Sequence, residues 1–436
     1  MVGCNETAFT ARGEPSLVII FRLALKSLAN RWLTALLTIV SIAFSVMLLL
    51  GVEKVRTGAR QSFADTISGT DLIVGARSGS LNLLLYSVFR IGNATNNITW
   101  KTYQDIAHLP EIAWIIPISL GDSHHGFRVM GTVPEYFSLY HYRHGHSLAF
   151  SSGGPFSDLF DAVVGADVSN ELGYKVGDKI IVAHGLGSVS FLEHADKPFH
   201  VAGVLAKTGT PVDRTVHVSL QAIEAIHVDW QSGAPIPGQS VSAEQVRHMN
   251  LEPKAITAAF IGLKSKLAAF RLQRAINEYP EEPLSAILPG AALQELWGLV
   301  GTAETALSAV SGMVVVTALL GMVTMILTTL NERRREMAIL RSVGARPMTI
   351  LTLLVTEAGV LTFCGVVLGA ILLYTALVVL QPFIDRTYGL HIAIDPPTQD
   401  QLTVLLGIVI AGFIAGLLPA LRAYRLSLAD GMTVRT

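Results

Sequence analysis

Residues 308–330 read SAVSGMVVVTALLGMVTMILTTL, and residues 331–347, directly after them, read NERRREMAILRSVGARP. The first stretch carries no charge over a length that crosses a hydrocarbon core of ~30 Å at ~1.5 Å per residue. The second places Arg333, Arg334, Arg335, Arg341 and Arg346 in a short connection before another apolar run. A membrane-crossing helix followed by a cationic connection held on one side of the bilayer is the reading this pairing predicts.

Three further segments have the length and apolarity of a span: Leu33 to Val52, Thr349 to about Leu380, and Leu402 to Leu421. The composition of the 436 residues, 51% hydrophobic and 15% charged, excludes an ordinary soluble protein. A net charge of -1 gives no reason to expect nucleic acid as a partner. The expected fold class is an α-helical membrane protein with four transmembrane helices and a large α+β extracytoplasmic domain. The expected boundaries are an amphipathic helix over 1–32, spans at 33–52, 308–330, 348–380 and 401–421, and an outer domain over 53–307. A connection helix at 331–347, an outer loop at 381–400 and a tail at 422–436 complete the division. The third run exceeds one crossing, so its start, TILTLLVTEAG (349–359), is expected at the interface or inside a helix bundle.

Basic residues set the expected orientation. Arg12, Arg22, Lys26 and Arg31 precede the first span, and Arg422, Arg425 and Arg435 follow the last, whereas the 381–400 loop has Arg386 against Asp385, Asp395 and Asp400. Both termini and the arginine connection are thus expected in the cytoplasm. Residues 1–15 are polar, so the first span is expected to act as its own targeting signal. Cys4 and Cys364 both lie outside the outer domain, which excludes a disulfide framework within it.

No proline or glycine occurs from Met322 to Val343, so the second span's helix is predicted to continue into the connection, with Gly344 at its C-terminal cap and Pro347 opening the next helix. Met337, Ile339, Leu340 and Val343 add an apolar stripe at helical spacing. Such a helix docks into a groove on a soluble partner or lies on the lipid headgroups; the residues alone leave both readings open.

In the outer domain, short strands are predicted at 179–183, 199–205 and 256–264 and an amphipathic helix at 266–278, the mixture of an α+β fold. Residues 71–98 open with Gly and Ser and are expected to form a loop or a partner-facing segment. Leu293, Leu296, Val300, Ala303 and Leu307 form an apolar line leading into the second span, as a stalk or as packing on the outer domain. Twelve of the thirteen histidines fall here. His141, His144, His146, His184 and His194 are the candidate zinc ligands, zinc needing three or four convergent donors; the bland alternative is a set of surface histidines. Glu357 sits inside the third apolar run, where an unpaired carboxylate costs roughly 2.5 kcal/mol or more, so a partner is expected for it, with Arg22, Lys26 and Arg31 as candidates. No catalytic constellation is evident, and the motif G-x-x-x-x-G-K-[ST] is absent, so no phosphate-binding loop is expected in this chain.

The stretch ERRREMAILRSVGARPMTILTLLVTEAGVL (332–361) resembles the signature of the FtsX/MacB-like ABC transporter permeases, the mechanotransmission group. GLLPALRAYRLSLADGM (416–432) resembles the family's closing motif, with Leu428 where a proline is common, and FRLALKSLANRWLTALLTIVSIAFSVMLL (21–49) resembles its first amphipathic helix and span. GTVPEYF (131–137), DAVVGADVSNELGYKVGDKIIVA (161–183) and FHVAGVLAKTG (199–209) resemble the MacB-like periplasmic core domain.

The resemblance implies a permease of the bacterial inner membrane that works as a dimer with a second copy or a paralogue, and it adds stalk helices to the outer domain over 53–307. It implies that Glu332, Arg333, Arg334, Arg335, Glu336, Ile339, Leu340, Arg341 and Gly344 couple the chain to a separate cytoplasmic ABC ATPase. ATP and Mg²⁺ would bind that partner, and this chain would hold no cofactor of its own unless the histidines bind zinc. Membrane lipids and a periplasmic protein are the other partners expected. The function implied is transmission of ATP-driven movement to the outer domain, moving or releasing a lipophilic, lipoprotein or small-molecule cargo; a membrane-anchored sensor or receptor and a zinc-linked efflux component are the alternatives.

Overall fold

A computed structural model describes residues 16–143, 145–185, 194–231, 234, 235, 241–332, 337, 339, 341, 342, 345–388, 392 and 394–425. The chain divides into two compact units, one of residues 57–302 with 381–392, the other of residues up to 56, 303–380 and from 393 onward.

The first unit is built on an eleven-stranded mixed sheet. Its strands are β1 (Leu72–Ala76), β2 (Ile112–His124), β3 (Phe127–Thr132), β4 (Phe150–Gly153), β5 (Asp161–Val164), β6 (Lys179–Ile180), β7 (Ala183–His184), β8 (Phe199–Leu205), β9 (Thr215–Ser219), β10 (Ala258–Leu263) and β11 (Leu284–Ile287). The order is β11-β1-β10-β2-β3-β9-β5-β8-β4, with β7 on β2 and β6 on β8. Most pairs are antiparallel; β3 with β9 and β5 with β8 are parallel. The thirteen-residue β2 pairs β10 through its first half and β3 through its second, so one strand serves two lobes.

Side chains alternate across a strand. Along β1, Leu72 and Val74 enter one apolar cluster with Ile106, Leu272 and Ile276, while Ile73 enters another with Leu83, Leu84 and Phe260. The helices Trp100–Ala107 and Ala269–Asn277 cover the first face, and Ser80–Ser87 covers the second. Burial on both faces is why β1 reads LIVGA without polar alternation. It also corrects the expectation for 71–98: that segment supplies a central strand and a buried helix, and Tyr86 is among the largest fully buried side chains. A third cluster, with Val129, Val164, Val201, Val218 and Ile226, fills the second lobe.

The second unit is helical. Trp32–Asp65, Pro289–Glu332, Pro347–Tyr388 and Gln399–Arg425 contain four spans long and apolar enough to cross a membrane. No more than 39% of any span's apolar window is buried within the chain, so most of those residues keep surface for lipid or another chain. Glycines bring the helices close. A Cβ on Gly365 would lie 2.6 Å from the Ile42 side chain, and one on Gly412 would lie 2.1 Å from Thr362 Oγ1. The Thr362 hydroxyl donates to Ala358 O at 2.9 Å and lies 3.4 Å from Met322 Sδ. Within residues 349–359, Leu353, Leu354, Glu357 and Ala358 are buried among the helices.

Candidate functional site

The helix Pro289–Glu332 begins with Ala292 and Leu293 in the core of the sheet unit, where Leu296 and Trp297 also pack. Farther on, Val300 and Leu307 of the same line are exposed, so the expected apolar line is core packing in its first turns only. The helix reaches Glu332, where the arginine connection starts. Arg333, Arg334, Arg335, Glu336, Leu340 and Gly344 lie outside the described residues. Of their neighbours, Met337 is buried, Arg341 half-buried, and Ile339 is 56% exposed. The next helix opens on Pro347, whose missing N–H costs nothing in a first helical turn. Glu357, placed in the third span, is buried at 4% exposure within the helical unit.

The histidines separate by environment. His141 and His146 stand on a small hairpin, and their Nδ1–H groups donate to the carbonyls of Leu139 (2.7 Å) and Arg143 (2.5 Å). His144, between them, lies outside the described residues. These histidines do not converge with His184 and His194, which lie in the second lobe. There β7 pairs with β2 so that His184 faces Asp122 directly across the ladder. The helix Leu220–His227, capped by Ser219 at Ala222 N, ends on His227. His194 is held beside them by its own N–H, which donates to Val182 O at 2.9 Å.

Asp122, His184, His194 and His227 each offer a ligand atom, and these atoms all lie within 4.8 Å of one another. His184 Nδ1 is 3.1 Å from Asp122 Oδ1 and 3.1 Å from His227 Nε2, and His227 Nε2 is 3.6 Å from Asp122 Oδ1. His227 Nδ1–H donates to Ile223 O at 2.8 Å. The Trp230 ring walls the group, its centroid 4.2 Å from that of His194. Beyond it, the fully buried Lys197 donates to Asp196 at 2.7 Å and Asp229 at 2.9 Å, pinning the segment that carries His194.

Charge inside this pocket follows from burial and pairing. Burial alone would raise the Asp122 carboxyl, but the hydrogen bond from His184 and the charge of His184 and of His227, 3.6 Å away, outweigh it and hold it at about 2. Burial pushes His194 down to about 4, assisted by the neighbouring His227. Burial also opposes charge on His227, but Asp122 overcomes it and leaves that imidazole above its usual value. Asp122 and His227 carry no sequence signal as ligands, because only sheet register and helix docking bring them to His184.

A cavity of about 420 Å³ lies elsewhere in the same unit. Phe63 and Phe89 give it an aromatic wall and Arg90 a cationic one, with the Arg90 Nε and Nη1 groups lacking partners among the described residues.

Comparison with known proteins places both units. Residues 35–259 match the MacB-like periplasmic core domain and residues 308–428 match the FtsX-like permease C-terminal region. The pyoverdine export ATP-binding/permease protein PvdT of Pseudomonas syringae pv. tomato is 23% identical over 63% of this chain and 40% of its own length. The macrolide export ATP-binding/permease protein MacB of a Shewanella species is 22% identical over 94% of this chain and 60% of its own. The chain thus spans about half the length of these relatives. Two solved structures align with it: the periplasmic region of MacB from Actinobacillus actinomycetemcomitans (TM-score 0.31, 11% identity, 52% of this chain and 92% of that one) and the extracellular domain of the ABC-type transporter YknZ from Gram-positive bacteria (0.30, 11%, 50% and 99%). With a MacB-like core over half its residues and an FtsX-like region following it, the chain is a multi-pass membrane protein of the FtsX/MacB-like ABC transporter permease family.

Proposed function

We propose that this chain is the permease subunit that couples a separate cytoplasmic ABC ATPase to movement of its outer domain. The observation that carries the reading is the helix Pro289–Glu332, unbroken over 44 residues, or about 66 Å at ~1.5 Å per residue. It starts in the sheet core and ends at the arginine connection, so a push at one end has a stiff path along the chain to the other. Both relatives are named ATP-binding/permease proteins, while this chain carries no G-x-x-x-x-G-K-[ST]. We therefore assign ATP and Mg²⁺ to the partner, and docking to Glu332–Arg341 with Gly344 as the stop. The exposed Ile339 supports docking, since an exposed apolar side chain in an arginine-rich connection suits a protein groove.

The rest of the assignment follows the same reasoning. The arginines favour an orientation in a bacterial inner membrane with the connection and both termini on the cytoplasmic side and the sheet unit outside. The permease works as a dimer with a second copy or a paralogue. The cargo handled outside is lipophilic or a small molecule, as the names of the two export relatives suggest. The cavity beside Arg90, aromatic on one wall and cationic on another, suits a cargo with an acidic end.

The test is recovery of the tagged chain from native membranes in mild detergent. A soluble P-loop ATPase is expected to come with it, and to be lost when Arg334, Glu336 and Leu340 are replaced by alanine. Recovery of the chain alone across several detergents would sink the coupling reading and favour a membrane-anchored receptor.

A further inference from the structure

The four-residue cluster in the second lobe asks for an occupant. Bonds of about 2.0–2.2 Å from a tetrahedral zinc ion to imidazole and carboxylate put neighbouring donors about 3.3–3.6 Å apart. The spacings of 3.1, 3.1 and 3.6 Å among Asp122 Oδ1, His184 Nδ1 and His227 Nε2 bracket that edge. With His227 neutral and its Nδ1–H committed to Ile223 O, the single His184 Nδ1–H is shared between two acceptors at 3.1 Å, a bifurcated arrangement that a bound cation would replace.

The fourth member carries the stronger argument. His194 is fully buried, and neither of its ring nitrogens has a hydrogen-bond partner among the described residues. Two buried nitrogens left without partners are costly, at about 1–3 kcal/mol for each unsatisfied group. A cation within reach of that ring would satisfy one of them. The supporting contacts are those of a ligand set. His227 spends its Nδ1–H on Ile223 O, which aims its Nε2 lone pair into the cluster. Lys197, locked between Asp196 and Asp229, holds the His194 segment in place. Access exists too, since the His184 side chain is 36% exposed.

We infer that Asp122, His184, His194 and His227 form a closed binding site for a borderline divalent transition cation, zinc being the probe of choice. Three imidazoles and one carboxylate, with no thiolate, suit zinc, cobalt or nickel over a soft monovalent ion or a hard oxygen-seeking one. Four protein donors leave no open position, so the ion acts as a clamp and not as a catalyst. It ties the β2–β7 edge, the 194–197 segment and the end of the Leu220–His227 helix at one point. The inference is independent of ATPase coupling.

The experiment uses the full chain in detergent, stripped with a chelator and titrated with Zn²⁺ by calorimetry, then loaded with Co²⁺ for visible spectroscopy. One ion per chain is expected, with the intense visible bands of tetrahedral Co²⁺ and an upward shift in melting temperature. His194→Gln and Asp122→Asn should each weaken binding at least 100-fold, while His141→Gln with His146→Gln should leave it unchanged. A stripped chain that binds no zinc at micromolar concentration would overturn the inference. So would binding that survives His194→Gln in a chain that still melts cooperatively. The His227→Gln variant guards against misfolding of either: it alters the same site from a different element.

Discussion

His217 looks in sequence like any other histidine of the outer domain, yet it is fully buried against the rings of Tyr136 and Phe137. Its Nδ1–H donates to Val163 O at 3.2 Å, and burial, with Arg90 nearby, pushes its pKa down to about 3. Unfolded, the same imidazole takes a proton near 6.5. Protons therefore bind the unfolded chain more tightly between those values, and stability present above pH 6.5 is lost as pH falls toward 3. The slope from one such group approaches about 1.4 kcal/mol per pH unit in the middle of that window. We expect the melting temperature of the outer domain in the intact chain to fall across this interval. In His217→Phe, which keeps the ring but loses the titration, the fall should be visibly shallower. Equal slopes in the two proteins would show that His217 does not set the acid limit.

Among elements, the helical unit is packed by close approach. Lipid is as apolar as leucine, so helices gain little from burying large side chains on one another and gain more by bringing backbones together. Gly412 against Thr362 and Gly359 against Phe413 are the tightest such contacts in that unit, and Gly416 against Ala358 repeats the approach one turn after Gly412. Gly407 lies on the same helix, and a Cβ there meets nothing within 4 Å. Gly412→Val should cost roughly 1–3 kcal/mol through overpacking, seen as early melting or aggregation on size-exclusion chromatography. Gly407→Ala should be neutral or gain up to ~1 kcal/mol from helix propensity. Equal behaviour of the two variants would mean the helices do not pack through Gly412.

For the whole molecule, the proposed function depends on the stiffness of Pro289–Glu332. Leu299 sits on this helix at 67% exposure, so its side chain is dispensable while its backbone is not. Leu299→Pro removes a helical hydrogen bond and kinks the chain at a cost of about 3 kcal/mol, where Leu299→Ala does neither. A fluorophore on Leu267→Cys, 93% exposed on the sheet unit, would report outer-domain movement in a background without Cys4 and Cys364. With the ATPase bound, Leu299→Pro should abolish the ATP-dependent fluorescence change while ATP hydrolysis continues. Leu299→Ala should preserve both. A full response from the proline variant would remove this helix as the lever.

The chain's own order of residues determined whatever depends on contiguous residues. The apolar windows are long enough for a bilayer, the arginines follow one of them directly, and FHVAGVL alternates as a strand over 199–205, where β8 forms. The family motifs are likewise contiguous, which is why the outer and membrane regions could be read from them. Residues 71–98 misled because a strand buried on both faces has no alternation to betray it, and its Gly and Ser opening looks like a loop. The cluster around His194 was half visible: His184 and His194 stood out as imidazoles, while Asp122 and His227 did not. Only the tertiary structure decided that set, because the β2–β7 register and the docking of the Leu220–His227 helix bring distant residues to one point, and no spacing along the chain encodes that meeting.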